Sequence, residues 1–444
     1  MEPECALPAT KRVRPATPPP PRAPLQATGA EDRLSALDDG TLHAILARIP
    51  LRDAATTTAL SRRWPRVFAT LPSLLLRTAI FNRRGFPDEG NQDYCEDPWR
   101  WMDAFSRVLD GRAAPVAAFD IDFKYMGLYS DWFAGVFAEL CGSGGLLELS
   151  LINAKLRECY HLPAPIYRCA MLTSLDLYNW RLQDHRPARP RLLRLRSVTA
   201  TDDDLRRLIT RCSSVERLEI FNVHKARSIV ISAPRLEKVL IYSHRPLRVS
   251  VNKALRLDAV RLTFSYSYPE YSWSPEDTMD SDVDYSFSEI DEMLDYEMMA
   301  KREQKRTDEI GNMVTFLSGL GCAKTLHLSP EIPEDSRYSR TSHVPLPAEY
   351  WKEKIDADGV LNHLSSVTFF IDSIFEGHPC GGFCQFLVTN ARVLKKISII
   401  SKPEDAAKLE AIRREIQLWP RASPDLRLEL CPLNHYPSFT LDSD

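Results

Sequence analysis

A short pattern, apolar-x-x-apolar-x-apolar, recurs along most of this chain and restricts what it can fold into. It stands at Leu146, Leu149 and Leu151, and again at Leu172, Leu175 and Leu177. Val215, Leu218 and Ile220 repeat it, followed by Leu236, Val239 and Ile241, then by Leu257, Val260 and Leu262. Degenerate copies are Leu193 with Leu195, Ala323 with Leu326 and Leu328, and Leu364 with Val367 and Phe369. Leu394, Ile397 and Ile399 form the last. Successive copies lie 18–26 residues apart as far as Leu262. Two apolar residues flanking one polar residue have the period of a strand, so the pair shares one face and the residue between takes the other. A unit this short cannot bury its own apolar face, and neighbouring units must stack.

Strand, return segment and repeat together are the signature of a leucine-rich-repeat solenoid. The expected fold class is α/β: an N-terminal three-helix module followed by an irregular leucine-rich-repeat solenoid over residues 75–432. Asp202 to Cys212 reads as a helical return with Leu205, Leu208 and Ile209 turned inward. Trp101, Phe105, Val108 and Leu109 predict a helix, and Val116 to Phe123 an alternating strand. Solenoids offer extended concave surfaces for binding. Polar positions inside the strand motifs, namely Glu148, Ser150, Asp176, Glu219, Lys238 and Arg261, are candidates for target contact by geometry.

The repeats are interrupted after Leu262. No Lys or Arg stands between Arg261 and Lys301, while Asp and Glu accumulate from Glu270 to Glu297 and Tyr266, Tyr268, Tyr271 and Trp273 crowd the start. Such a like-charge run reads as a solvated insertion, about residues 266–310. Met293, Leu294, Tyr296, Met298 and Met299 predict a short helix late in it. Residues 1–30 are rich in Pro and Ala, with Pro18 to Pro21 in a row, and are expected to be a disordered tail. Lys11-Arg12-Val13-Arg14 within it fits a short nuclear-import signal. Residues 433–444 read as a second tail.

A formal net charge of −3 argues against a generally basic nucleic-acid surface. No apolar stretch approaches the roughly 20 residues that span a bilayer, and prolines stand where a secretory signal would have its apolar core. The ten cysteines then read as reduced thiols in a nuclear or cytoplasmic protein.

Ahead of the repeats, Leu42, Ile45, Leu46 and Ile49 recur at i, i+3, i+4 and i+7 and mark one helix face. Asp38 or Asp39 can cap that helix, and Pro50 halts it. A second helix is predicted from Arg52 through Leu60, weakened by Thr56, Thr57 and Thr58. Trp64, Val67, Phe68 and Leu71 form a third apolar cluster. Three short helices in about 40 residues make a marginal core, so a partner is expected.

The segment over residues 31–74 closely resembles the F-box of plant F-box/leucine-rich-repeat proteins. The match runs through Asp32-Arg33-Leu34-Ser35-Ala36-Leu37, then Leu42-His43 with Ile45-Leu46, then Ile49-Pro50-Leu51-Arg52-Asp53-Ala54, and closes on Leu60-Ser61-Arg62-Arg63-Trp64. The resemblance implies binding of a Skp-type adaptor and, through it, of cullin and RING subunits. The implied adaptor-binding residues are Leu34, Leu37, Leu42, Ile45, Leu46, Ile49, Pro50, Leu51, Leu60 and Trp64, presented as an apolar patch that fills a groove. Asp38 stands where the family usually has Pro, a change the helix dipole tolerates. Pro65 follows Trp64 where the family continues with a helix-compatible residue, and is expected to break or restart the third helix. Asn390-Ala391-Arg392-Val393-Leu394-Lys395-Lys396-Ile397, with Pro420-Arg421-Ala422-Ser423-Pro424, resembles the FBD-type region of the same proteins, about 355–432 here. Ala407 to Leu418 reads as its helix.

The expectation is therefore a substrate-recognition subunit of a Skp-cullin-F-box ubiquitin ligase, with an unknown protein target, no cofactor, no catalytic residue and no metal. The alternatives are a leucine-rich-repeat binding module acting without the ligase, and a small-molecule co-receptor. Three motifs fail on inspection. Gly319-Leu320-Gly321-Cys322-Ala323-Lys324-Thr325 lacks the glycine a phosphate loop needs before its lysine. Asp280, Asp282 and Asp284 open like a calcium loop but meet Tyr285 at the glycine position. His378, Cys380 and Cys384 have no second ligand cluster at zinc spacing.

Overall fold

The computed structural model describes residues 34, 36–77, 98–123, 129–153, 160–182, 189–243, 247–252, 254–265, 314–331, 348–355, 361–370, 380–401, 410, 413–414 and 416–432. Lys11 to Arg14, the body of the acidic insertion with its expected helix, Asp280 to Asp284, and His378 lie outside them. Twelve strands form one sheet, parallel in every pairing. Its order is β1 (Ser73–Arg77), β2 (Ala118–Phe123), β3 (Glu148–Asn153), β5 (Ser174–Tyr178), β7 (Leu192–Arg196), β8 (Arg217–Phe221), β10 (Lys238–Ser243), β12 (Ala259–Ser265), β13 (Thr325–Glu331), β14 (Ser366–Phe370), β15 (Lys396–Ser401) and β16 (Arg427–Pro432). The remaining strands pair in parallel as two small sheets, β4 (Tyr160–His161) with β6 (Trp180–Arg181), and β9 (Ser228–Ser232) with β11 (Arg248–Asn252).

The leucine pattern sets this register. Leu149, Leu175, Leu193, Leu218, Val239 and Val260 stand opposite one another strand by strand, and so do Leu151, Leu177, Leu195, Ile220, Ile241 and Leu262. All of them are buried. Each such side chain contributes about 1.5–3 kcal/mol on full burial. Since a slip of one residue would turn every leucine outward, the register is strongly specified. The ladder is longer than the motif copies suggested. Leu74 and Leu76 of β1 extend it beyond β2 at one end, and Leu428 and Leu430 of β16 extend it at the other.

The chain leaves successive strands by a recurring turn. Asn179, Ser197 and Asn222 directly follow β5, β7 and β8 with φ of 60°, 51° and 51°. Their amides donate to Arg196 O, Phe221 O and Tyr242 O on the next strand at 2.9, 2.7 and 2.8 Å. Asparagine tolerates this left-handed conformation better than most residues. Asn153 and Asn179 also exchange side-chain donors, each to the other's carbonyl, at 3.1 and 3.3 Å.

Return segments vary. Asp202–Arg211 is helical, opened by a capping box between Thr201 and Asp204, and buries Leu205, Leu208 and Ile209 as the periodicity predicts. Asp202 accepts from the amides of Arg227 and Ser228 at 2.7 and 3.1 Å and from the Ser228 hydroxyl at 2.7 Å, which ties this helix to β9. Partial burial opposes its charge, yet those hydrogen bonds prevail and hold its carboxyl below the usual range. Near the N-terminal end, the helices Pro98–Asp110 and Ser130–Gly142 pack Phe105 and Phe137 against Phe119 of β2, with Phe133 stacked on Phe137. Of the predicted helix Ala407 to Leu418, residues 410, 413–414 and 416–418 are described and helical.

β12 and β13 are neighbours in the sheet although residues 266–324 separate them in sequence. The acidic stretch is thus inserted between two adjacent repeats. Where the chain returns, Gly319 lies against β11: a Cβ there would stand 2.6 Å from Val251 O and 3.0 Å from Val251 N. The glycine of the failed phosphate-loop motif therefore serves a close backbone approach. Gly319→Ala is expected to destabilise the protein by about 2 kcal/mol, as overpacking against rigid backbone does. Chemical denaturation of the two chains measures it, and equal midpoints would show that β11 yields.

Among the described residues, Cys141, Cys169, Cys212, Cys322, Cys384 and Cys431 are free thiols. Burial pushes Cys212 up to about 12. Cys384 is buried in the helix Cys380–Asn390. No described helix is long and apolar enough to cross a membrane.

Candidate functional site

The N-terminal module forms from three short helices. The first, Asp39–Leu46, is capped by Asp38, whose carboxylate accepts from the Thr41 amide at 2.9 Å and from its hydroxyl at 2.6 Å. The second runs Leu51–Thr56 and tightens into a 3-10 turn at Thr57–Ala59. The three threonine hydroxyls account for that change, each donating at 2.6 Å to the carbonyl three residues earlier. Such local bonds compete with regular helix geometry. The third helix is Trp64–Ala69, with Pro65 in its first turn. There a proline gives up no helical hydrogen bond, and its fixed φ favours the helix. The expected disruption is replaced by a helix that starts at Trp64. His43 Nε2 lies 3.0 Å from Val67 O and 3.2 Å from Thr70 Oγ1, and Arg63 Nε donates to Asp39 at 2.9 Å, so the first and third helices are joined twice.

The ten residues expected on the adaptor-binding patch separate into two groups. Leu42, Leu46, Leu51 and Trp64 are 1, 2, 7 and 6% exposed and belong to the core, with Ala54 and Val67. Their place is inside the module, against the expectation that the apolar set faces outward. Leu34, Ile45 and Leu60 keep 50, 44 and 60% of their surface exposed. Leu37, Ile49 and Pro50 are half-buried at the margin.

The module is docked on the repeats. Arg112, after the helix Pro98–Asp110, donates to the carbonyls of Phe68 and Leu71 at the end of the third helix, and to its own Ala114 O at 3.3 Å. Burial draws its pKa below the ordinary arginine value. The Ala113 amide donates to Ala69 O at 3.0 Å, and the Ala117 amide to Pro72 O at 2.8 Å. Leu71, Leu74 and Leu76 carry the apolar core without interruption from the helices into the sheet.

A second polar feature lies on the sheet face opposite the leucine ladder, at outward positions of β5, β7 and β8. Glu219, a candidate for target contact by geometry, is only 1% exposed. Arg194 Nε donates to it at 2.5 Å and Arg217 Nε at 2.6 Å. Arg194 Nη1 also reaches Asp176 at 3.3 Å, and Arg196 grips the same carboxylate with two hydrogen bonds of 3.0 Å. Burial works against the Arg194 charge, but the carboxylates of Glu219 and Asp176 outweigh it and raise its pKa. Arg261, another candidate, is 7% exposed, whereas Glu148 is exposed and Ser150, Asp176 and Lys238 are half-buried. Arg194, Arg196 and Arg217 were not among the candidates. Their signal is the run Leu192-Leu193-Arg194-Leu195-Arg196 followed by Arg217-Leu218-Glu219, in which charge alternates with leucine. Among the described residues, no three His, Cys, Asp or Glu side chains converge as metal ligands would.

Residues 136–276 match a family model described as "FBD-associated F-box protein At5g56370, LRR repeats". The chain is similar to the F-box/LRR-repeat protein At3g58900 of Arabidopsis thaliana, 26% identical over 328 residues that cover 69% of this chain and 96% of the relative. It is 21% identical over 432 residues to the F-box/FBD/LRR-repeat protein At5g56420 of the same plant, covering 89% of this chain and 98% of that one. With the F-box/LRR-repeat protein At3g26922, also of Arabidopsis thaliana, identity is 27% over 220 residues, 48% of this chain and 67% of the relative.

Proposed function

We propose that this chain, a plant-type F-box/leucine-rich-repeat protein with an FBD-like C-terminal region, is the target-selecting subunit of a Skp-cullin-F-box ubiquitin ligase. The relatives' names fit a non-catalytic receptor of this type. The observation that carries the reading is a folded three-helix module that satisfies its own core yet leaves Leu34, Ile45 and Leu60 in solvent. A groove on a Skp-type adaptor would bury these side chains, at about 1.5–3 kcal/mol for each one fully covered. Leu37, Ile49 and Pro50 would frame the contact, while Leu42, Leu46, Leu51 and Trp64 hold the helices in the presenting arrangement. The repeats would hold a protein target. Chemistry would then belong to the conjugating enzyme recruited by the RING subunit, with this chain raising the local concentration of target lysines.

The test is co-precipitation of the purified chain with a plant Skp-type adaptor. Ile45→Asp and Leu60→Asp alter exposed positions, so both variants should keep the wild-type circular dichroism spectrum. Each is expected to weaken capture about tenfold or more, the loss typical of an interface anchor. A folded wild-type chain that captures no adaptor would remove the ligase role. Variants that capture as well as wild type would relocate the contact.

A further inference from the structure

Charge is unevenly spread over the polar face of the sheet. Outward positions of β2, β3 and β5 carry Asp120, Asp122, Glu148 and Asp176, with no Lys or Arg. On β7, β8, β10 and β12 the same positions carry Arg194, Arg196, Arg217, Lys238 and Arg261 against Glu219 alone. Counting Asp176 at the boundary, cations exceed carboxylates by three. Depth separates the signs further on β5, β7 and β8, although Arg261 on β12 is itself buried. Glu219 and Asp176 keep 1 and 13% of their side chains exposed, while Arg194 and Arg196 above them keep 30 and 32%. The carboxylates act as anchors that fix the guanidinium groups in place.

An aromatic row runs beside these cations. Tyr178, Arg196, Phe221 and Tyr242 occupy one register position on β5, β7, β8 and β10, each half-buried. The Arg196 guanidinium lies 5.5 Å from the Tyr178 ring centre, and the Phe221 and Tyr242 rings are 6.3 Å apart. Side chains braced in this way have little freedom left to lose on binding, and Tyr and Arg dominate the energetics of protein interfaces.

We infer that the strip over β5, β7, β8, β10 and β12 is the target-docking surface, and that it takes an extended acidic peptide segment carrying an aromatic side chain. The inference rests on the receptor role proposed above and adds the class of target. Charge complementarity selects the occupant: an excess of cations, three of them held in place by Glu219 and Asp176, attracts carboxylates, and the rings beside them offer a seat for an aromatic group. The five strands extend over about 19 Å at 4.8 Å per strand, the length of roughly six extended residues.

Fluorescence anisotropy with the full chain and two fluorescein-labelled 12-residue peptides tests it. One peptide is built from Glu and Asp around a central Tyr, and the other replaces every acid by Gln or Asn. The acidic peptide is expected to bind at least about tenfold tighter, and to weaken as salt rises from about 50 to 300 mM. Arg196→Gln combined with Lys238→Gln should remove most of that preference, with the melting curve monitoring the fold. Equal binding of the two peptides, or an unchanged preference in the double variant, would overturn the inference. A chain with residues 266–310 replaced by a short Gly-Ser linker supplies the third arm. Acidic peptide bound only after that replacement would show that the strip serves the chain's own acidic insertion, which also overturns a partner in trans. Adaptor capture is scored separately, so failure here leaves the ligase role standing.

Discussion

A chain carrying Leu46→Asp is expected to lose its N-terminal helical module while the repeat sheet persists. Leu46 is 2% exposed and shares its cluster with Leu42, Ala54, Trp64 and Val67. Truncating a buried leucine costs about 2–5 kcal/mol. A carboxyl group in its place must also give up its hydration or its charge. Three short helices have little margin to absorb both. Hydrogen exchange resolves the outcome: amides over residues 39–69 should exchange at near-unfolded rates, while those of β8 and β10 stay protected. Collapse of protection in both regions would instead show one cooperative unit, joined through Leu71, Leu74 and Leu76. The contrast with Ile45→Asp is the useful one. Neighbouring residues on one helix separate a folding effect from a contact effect, and lost adaptor capture in Leu46→Asp alone would report only unfolding.

Arg194→Ala is expected to destabilise the sheet by about 3 kcal/mol, far more than a surface arginine would. The mutation strips one of two cations from a Glu219 carboxylate that water scarcely reaches. Breaking a buried pair from one side leaves an uncompensated charge, and Arg217 remains to limit the damage to the lower end of the usual range. Arg194→Met and Arg217→Met with Glu219→Leu removes all three charges together and should return to within about 1 kcal/mol of wild type. Urea midpoints of the three chains give the comparison. An Arg194→Ala loss below about 0.5 kcal/mol would mean that solvent screens the pair after all.

These residues also show which parts of the structure were legible in the sequence. The leucine ladder could be read directly, because burial on one face forces a period of two and the repeat forces a spacing. Even so, its first rung was missed. Leu71, Leu74 and Leu76 have the repeat spacing, but Leu71 and Leu74 fall within the segment 31–74 that resembles an F-box, and β1 uses Leu74 and Leu76 for the sheet. β9 and β11 were also missed, although Ser228-Ile229-Val230-Ile231-Ser232 alternates plainly, because they lie in return segments that the apolar-x-x-apolar-x-apolar motif does not mark. In the module, periodicity located an apolar face on the first helix without deciding what covers it. Leu42 and Leu46 turned to the module's own core and Ile45 to solvent, one residue away from Leu46. The burial of Glu219 was illegible for a different reason. Its strand position is outward, and it is buried because Arg194, 25 residues earlier and one strand over, folds across it. Information of that kind lies in pairing between distant segments and not in any local window.

The hydrogen bonds from Arg112 and Ala113 to the end of the third helix, and from Ala117 to Pro72 beyond it, fix where the proposed adaptor seat stands relative to every strand that follows. Strand number then works as a ruler. β8 lies five strand spacings from β1, about 24 Å along the stack. A target seated there would meet the ligase at a set offset, and only lysines within a narrow zone around that offset would be modified. Removing one whole repeat between β2 and β8 would shift the zone by about 5 Å while leaving both contacts intact. Lysine choice on the target would thus be written in repeat count as well as in surface chemistry.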